Sequence, residues 1–375
     1  MVGSGFVAIA GRCEPTHVSP EMQTGVRTLH VLPEGSHMPR QIGFTGDVML
    51  GRVVNDRQRR RSVDAVWGTV LERLHSLDGL VINLECCLST RGQQWQRTYR
   101  PFHFRADPDW AIPALEHAGV DICTLANNHI LDYEAVALQD TLDTLDEADI
   151  AHTGAGETID EALEPAVRTL EDSNADSDDL EIAVIGLTDN TPEYAADEDS
   201  PGTAWVDIDV DDAETRRLVQ ETLERARETN PDLLVASLHW GPNMVTTPSD
   251  SFREVGRWLV EEGVDVVHGH SAHVFQAIEV YQGRPIIYDA GDFVDDYRVD
   301  PELRNDRSFL FVLSVTADGD PLELRLHPTE IDDCAVHEAS SGAAEWSRNR
   351  MRNRSAPFGT AFDRDGDALV LSLEA

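Results

Sequence analysis

The 375-residue sequence contains no lysine. All 30 of its basic side chains are arginine, set against 69 Asp and Glu, for a net charge of −39. A surface this acidic favours solubility and argues against general nucleic-acid binding, because it repels phosphate. It is the surface expected of a protein adapted to high salt. No apolar run reaches about 18 residues, so no membrane span is expected. Cysteine is sparse: Cys13, Cys86, Cys87, Cys123 and Cys334 are odd in number and irregularly spaced, unlike a disulfide framework. The apolar patch GFVAIAG near the N-terminus lacks a positive leader and is short for a secretion signal, so the chain reads as cytoplasmic.

Hydrophobic residues make up 41% of the chain, enough for a substantial core. Residues 1–37 lack the acidic bias and show no period; they read as an N-terminal extension, disordered or arising from the choice of start site. From Met38 onward a short apolar run, a polar turn and a helical period recur. The runs QIGFTG, DGLVINL, VDICTLA, LEIAVIGL, DLLVASL, VDVVHG and RPIIYDAG are strand-like. Helical periods cover 52–76, 108–118, 132–148, 211–229 and 249–262, with Asp132 and Ser249 placed to cap two of them. FLFVLSV and PLELRLHP predict a hairpin around ADGD. Nearly continuous apolar strands between helices imply a buried sheet covered on both faces, an α/β domain over 38–330 with a C-terminal extension, 331–375, packing on it or trailing from it.

Charge is unevenly spread. Residues 38–105 hold 11 arginines against 6 acids, a local charge of +5. This segment includes Arg57, Arg59, Arg60 and Arg61, and then Arg97, Arg100 and Arg105 among Trp95, Tyr99, Phe102 and Phe104. Guanidinium forks suit carboxylate or phosphate. Arg97, Arg100 and Arg105 are therefore candidates for holding an anionic substrate, a small molecule or a polymer. The alternative is pairing with the protein's own acids.

The polar exceptions within the apolar strands gather at their carboxyl ends, where open α/β sheets bind ligands. They are Asp47, Glu85, Asn128, His129, His239, His270 and His273, with Asp292 nearby. Each has a plain structural role available: a turn for Asp47 after Gly46, or a packed ring for His239 beside Trp240. Three histidines in HGHSAH are harder to explain that way. Carboxylate, amide oxygen and imidazole together suit a divalent ion such as Zn, Mn or Fe. Such an ion would lower the pKa of a water near neutral pH, and a free histidine at the rim could protonate a leaving group. A cysteine hydrolase built on Cys86, Cys87 or Cys123 has no assignable histidine partner.

The segments FTGDVMLGR, VINLECCLS, TLANNHILDY, ASLHWG, VVHGHSAHVFQAIEVY and IIYDAGDFVDDY resemble, in that order, the CapA-type poly-γ-glutamate capsule-synthesis proteins of the calcineurin-like metallophosphatase superfamily. The resemblance spans roughly residues 40–316. It implies a four-layer α/β/β/α sandwich with one or two metal ions at the strand ends. It makes Asp47, Glu85, Asn128, His239, His270 and His273 the metal ligands and His129 the catalytic acid that contacts substrate. Asn127, by its own turn chemistry, is expected to fix the turn through a hydrogen bond to the backbone. Two departures bear on the metal count. The superfamily's Asp-x-His becomes Asp47-Val48-Met49, losing an imidazole, and its GHxH becomes GHSAH, leaving open which of His268, His270 and His273 bind. Three activities are compatible: a metal-dependent hydrolase, phosphoesterase-like; an enzyme acting at the amide or carboxylate of poly-γ-glutamate; or a non-catalytic subunit that binds the anionic polymer.

Overall fold

The structure is a computed structural model that describes residues 38–171 and 179–373. The extension expected over 1–37 lies outside them. Two β-sheets face each other. The larger, of ten strands, runs in space Asp363–Asp365, Ala368–Ser372, Pro321–Asp332, Arg307–Val315, Arg40–Val48, Gly79–Leu84, Ile122–Thr124 and Ala151–Thr153, with Asp292–Val294 beside Arg40–Val48 and Ala335–Glu338 beside Pro321–Asp332. From Arg40–Val48 to Ala151–Thr153 the pairing is parallel. The smaller sheet has six strands, Ile278–Tyr281, Arg284–Ile287, Val266–His270, Leu233–His239, Leu180–Thr188 and Ala166–Leu170, the middle four parallel.

Strand alternation creates the layers. Successive side chains of a strand point to opposite faces. Ile42, Phe44 and Val81 meet Ile182, Val184, Leu233 and Val235 in the core between the sheets. Their neighbours Leu80, Ile82 and Leu84 face the opposite way, onto Leu115 of helix Pro108–Ala118 and Leu138 of helix Glu134–Glu147. On the other side Ala183, Ile185, Leu234 and Ala236 pack on Val219 and Leu223 of helix Ala213–Glu228 and on Val255 and Leu259 of helix Asp250–Glu261. The result is an α/β/β/α sandwich. Each fully buried Leu or Ile contributes roughly 1.5–3 kcal/mol relative to exposure.

The predicted hairpin is present as Arg307–Val315 against Pro321–Asp332. The last residues extend the larger sheet, and Met351 of helix Ser341–Ser355 enters the core between the sheets. Ser249 caps its helix by accepting from Phe252 N. Two helix expectations change. Residues 52–76 are not one helix but Arg52–Gln58, Ala65–Val70 and Leu71–Leu74. Gly68 breaks the period at φ +42°, where a Cβ would sit 2.4 Å from the Val336 carbonyl of a passing strand. Asp132 does not cap the helix that begins at Glu134; its carboxylate is committed elsewhere. Among the described residues, no helix is long and apolar enough to cross a membrane.

Candidate metal centre

Parallel strands of both sheets end at one edge. Arg40–Val48 delivers Asp47, Gly79–Leu84 delivers Asn83 and leads to Glu85, and Leu233–His239 and Val266–His270 end on their histidines. Two glycines allow the approach. A Cβ on Gly46 would lie 1.8 Å from the Gly291 carbonyl, and one on Gly269 would lie 2.2 Å from the Tyr288 carbonyl. The first contact lets Asp47 N reach Gly291 O at 2.9 Å and sets Asp47 in register with Asp292.

Asp47 is wholly buried and serves two clusters. In the first, Asp47 Oδ1 lies 3.7 Å from His239 Nδ1 and 3.5 Å from His270 Nδ1, and the two imidazole nitrogens are 2.9 Å apart. In the second, Asp47 Oδ2 lies 3.4 Å from His273 Nδ1, which is 2.8 Å from Asp292 Oδ1. Bonds of about 2.0–2.1 Å around a tetrahedral ion put donor atoms about 3.4 Å apart, close to these separations. His268 joins neither cluster: its Nε2 bonds the Thr45 carbonyl at 2.7 Å and its Nδ1 meets Ser237 Oγ at 3.3 Å, tying one sheet to the other.

The electrostatics suit a cation. Burial opposes ionisation of Asp47, yet the bond to His273 and the fields of His239, His270 and His273 hold its carboxyl well below the ordinary range. Burial pushes His239 down to about 3 and His270 far below its usual value, so both stay neutral with a lone pair to give. Burial, reinforced by Asp47 and Asp292, pushes Glu85 well up. Both Glu85 oxygens and Asp292 Oδ2 are buried without a hydrogen-bond partner in the protein. Unpaired buried carboxylate oxygens are costly, and a divalent ion would satisfy them. The residues present therefore fit such an ion, bound through Asp47, His239 and His270 and, at a second position, through Asp47, His273 and Asp292.

Glu85 belongs to neither triad but borders them, its Oε1 3.9 Å from His239 Nε2 and 3.7 Å from His129 Nε2. Asn128 Oδ1 is 2.9 Å from His239 Nε2. Asn127 accepts from His129 N at 3.1 Å and donates to the Leu84 carbonyl at 2.9 Å, which fixes the turn. His273 is held at φ +57° after Ser271 at φ +112°, left-handed values unusual for these residues. The buried Asp289 pins that turn by accepting from Ala272 N and Gly291 N.

His129 carries its own orienting group. Asp132 Oδ2 accepts from His129 Nδ1 at 2.5 Å and from Phe104 N at 2.7 Å, while Oδ1 accepts from the Tyr194 hydroxyl at 3.1 Å. A hydrogen on Nδ1 leaves Nε2 facing Glu85. Phe104 packs edge-on against His129 with centroids 4.4 Å apart, and Tyr297 packs on His273 at 4.9 Å. The guanidinium of Arg52 lies 4.6 Å over Phe102 and pairs with Asp296.

The candidate substrate arginines diverge. Arg97 pairs with Glu134 at 2.5 Å and covers Trp95, and Arg105 donates to the Arg91 carbonyl and lies over Tyr133. Arg100 lies 4.4 Å over Tyr194, the partner of Asp132, and its Nη2 is buried without a partner. In the RQRRR cluster, Arg57 and Arg61 pair with Asp333. Burial pushes the Cys86 thiol up to about 12, and Cys87 and Cys123 upward as well, so thiolate chemistry at these positions is disfavoured.

Fold and centre together define an α/β/β/α sandwich with a buried carboxylate–imidazole cluster at its strand ends. Residues 41–297 match the family described as bacterial capsule synthesis protein PGA_cap, and the chain belongs to that family. It is 33% identical over 315 residues to the probable polyglutamine synthesis accessory protein of Mycobacterium tuberculosis, covering 81% of this chain and 80% of that one. It is 30% identical over 258 residues to the capsule biosynthesis protein CapA of Bacillus anthracis, covering 68% of this chain and 59% of that one. The PGA biosynthesis protein CapA of Bacillus subtilis is 26% identical over 254 residues, again covering 68% of this chain and 62% of the relative.

Proposed function

We propose that this capsule-synthesis family member is a metal-dependent hydrolase, phosphoesterase-like, that acts on an anionic substrate. The observation that carries the reading is Asp47 shared between two histidine clusters, beside a buried Glu85 with neither oxygen bonded. A divalent ion, Mn, Zn or Fe, would supply Lewis acidity and a lowered water pKa at this centre. Asp47, Glu85, His239, His270, His273 and Asp292 would hold it, with Asn128 Oδ1 meeting His239 at Nε2. His129 Nε2 donates a proton to the leaving group, while Asp132 keeps the ring's Nδ1 protonated and its plane fixed. Phe104 and Tyr297 wall the centre and limit water around the transferring proton. Arg100 holds an anionic group of the substrate.

The names of the relatives favour a second reading, in which the same groups act on an amide or carboxylate of polyglutamate. A hydrolysis panel separates the two. Protein incubated with Mn²⁺ or Zn²⁺ is offered phosphomonoesters, phosphodiesters and γ-glutamyl amides. Metal-dependent turnover of a phosphoester is expected. Turnover of the amides alone would favour the second reading, and turnover of neither class would leave a binding subunit.

A further inference from the structure

A second basic feature lies outside the metal centre. A cavity of 540 Å³ opens between helix Ser341–Ser355 and the segment that follows His239, with Thr246, Thr247, Arg253, Arg350 and Arg354 in its wall. On a chain with 69 acids and 30 arginines, an arginine is expected to find a carboxylate. Most of the described ones do. Arg350 and Arg354 make no ion pair among the described residues. Arg350 is exposed and lies over the Trp346 ring at 5.3 Å. Arg354 donates to the Phe275 carbonyl and covers the Phe275 ring at 4.6 Å. Burial pushes its guanidinium down to about 10, still cationic at neutral pH. Arg253 pairs with Asp250, yet its Nε is buried without a partner. Asp250 and Glu302 also border the cavity, so three cations face two acids on a protein of charge −39.

The cavity is joined to the metal centre through the chain. Met244 N donates to the Ala272 carbonyl at 2.8 Å, and Gln276 donates to the Val245 carbonyl at 2.8 Å. The wall segment is thus fastened to the turn that carries His273. Arg350 and Arg354 stand one helical turn apart, about 6 Å along the axis. A single phosphate would leave most of 540 Å³ empty. An extended chain bearing carboxylates at intervals would engage both guanidinium groups.

We propose that this cavity is a second anion subsite, in which Arg350, Arg354 and Arg253 grip successive carboxylates of an acidic polymer. The existence of the subsite stands on the unpaired arginines; naming polyglutamate as the polymer rests on the second reading above, which the names of the relatives favour. Binding of an oligo-γ-glutamate of about ten residues to the full chain tests it, measured by titration calorimetry with free glutamate and inorganic phosphate as competitors. Arg350→Glu should weaken binding at least about tenfold, because a like charge then opposes the carboxylates. Arg60→Glu makes the same change in net charge at an exposed arginine elsewhere and should leave the affinity within twofold. Excess phosphate should compete weakly. Equal affinity for wild type and Arg350→Glu, no binding by wild type, or phosphate competing mole for mole with the oligomer would each overturn the proposal. Metal content of all three proteins is read alongside. Since binding is measured without turnover, failure of the hydrolase reading leaves this result intact.

Discussion

Replacing Asp132 by Asn probes the least expected part of the site. The carboxylate collects three donors: His129 Nδ1 at 2.5 Å, Phe104 N at 2.7 Å and the Tyr194 hydroxyl at 3.1 Å. Asn keeps the shape and one acceptor oxygen but removes the negative charge. A hydrogen bond to a charged group is worth about 1.5–3 kcal/mol, against about 1 for a neutral one. In the proposed mechanism, the charge on Asp132 acts most when His129 carries the proton to be donated. Losing it, and loosening the ring, should raise the barrier by about 3–4 kcal/mol, or about 10²–10³ in kcat. The cost to stability is smaller, about 1–2 kcal/mol, because two of the three donors can still be accepted. Metal content should be unchanged, since Asp132 belongs to neither triad. The assay is kcat on esters of graded leaving-group pKa, with thermal unfolding and elemental analysis on the same samples. The loss should be greatest for poor leaving groups, which need the proton. A folded, metal-loaded Asp132→Asn protein with kcat within threefold of wild type on a poor leaving group would refute the role given to both Asp132 and His129.

Two further expectations follow from geometry and charge. Arg100→Ala should raise KM several-fold with a smaller change in kcat, whereas Arg97→Ala should change KM less than twofold, because Arg97 is already paired with Glu134; equal effects in steady-state assays would remove Arg100 from substrate binding. Burial, with the charges of Arg73 and Arg325, pushes His327 down to about 3, so the fold holds it neutral while the unfolded chain takes a proton below about 6.5. Stability is therefore lost as pH falls from about 6.5 toward 3, by about 1–2 kcal/mol at pH 5. In urea unfolding, His327→Gln should shrink the difference between pH 7 and pH 5 by that amount, and an unchanged difference would show that His327 is not responsible.

Much of the centre was legible because strands alternate. Asp47, His239 and His270 interrupt or end apolar strands, and position alone brings them to one edge. Asn127 was legible as the residue that fixes the turn. The pairing of His273 with Asp292 was only half visible, because it depends on a left-handed turn that no local propensity announces. Asp132 was misread because an Asp ahead of a helical period looks like a cap; the signal was its place three residues after His129. The break at Gly68 follows from a strand more than 250 residues later in sequence, and the fate of Arg57 and Arg61 from Asp333. Such long-range pairings leave no local trace. Asn83 donates to Asp47 and Asp289 accepts from Ala272 N behind the candidate ligands, and a single sequence gives little reason to single them out.

The buried cluster around Asp47 is proposed to hold a divalent ion. Elemental analysis of the wild-type chain, Asp47→Asn and His239→Ala, each incubated with Mn²⁺ or Zn²⁺ and desalted, tests it most directly. Asp47 serves both clusters and His239 only the first. Wild type is expected to carry one to two ions per chain, Asp47→Asn to lose nearly all of its metal, and His239→Ala to lose at least the first ion. Metal-free wild type, or equal metal in all three proteins, would contradict it.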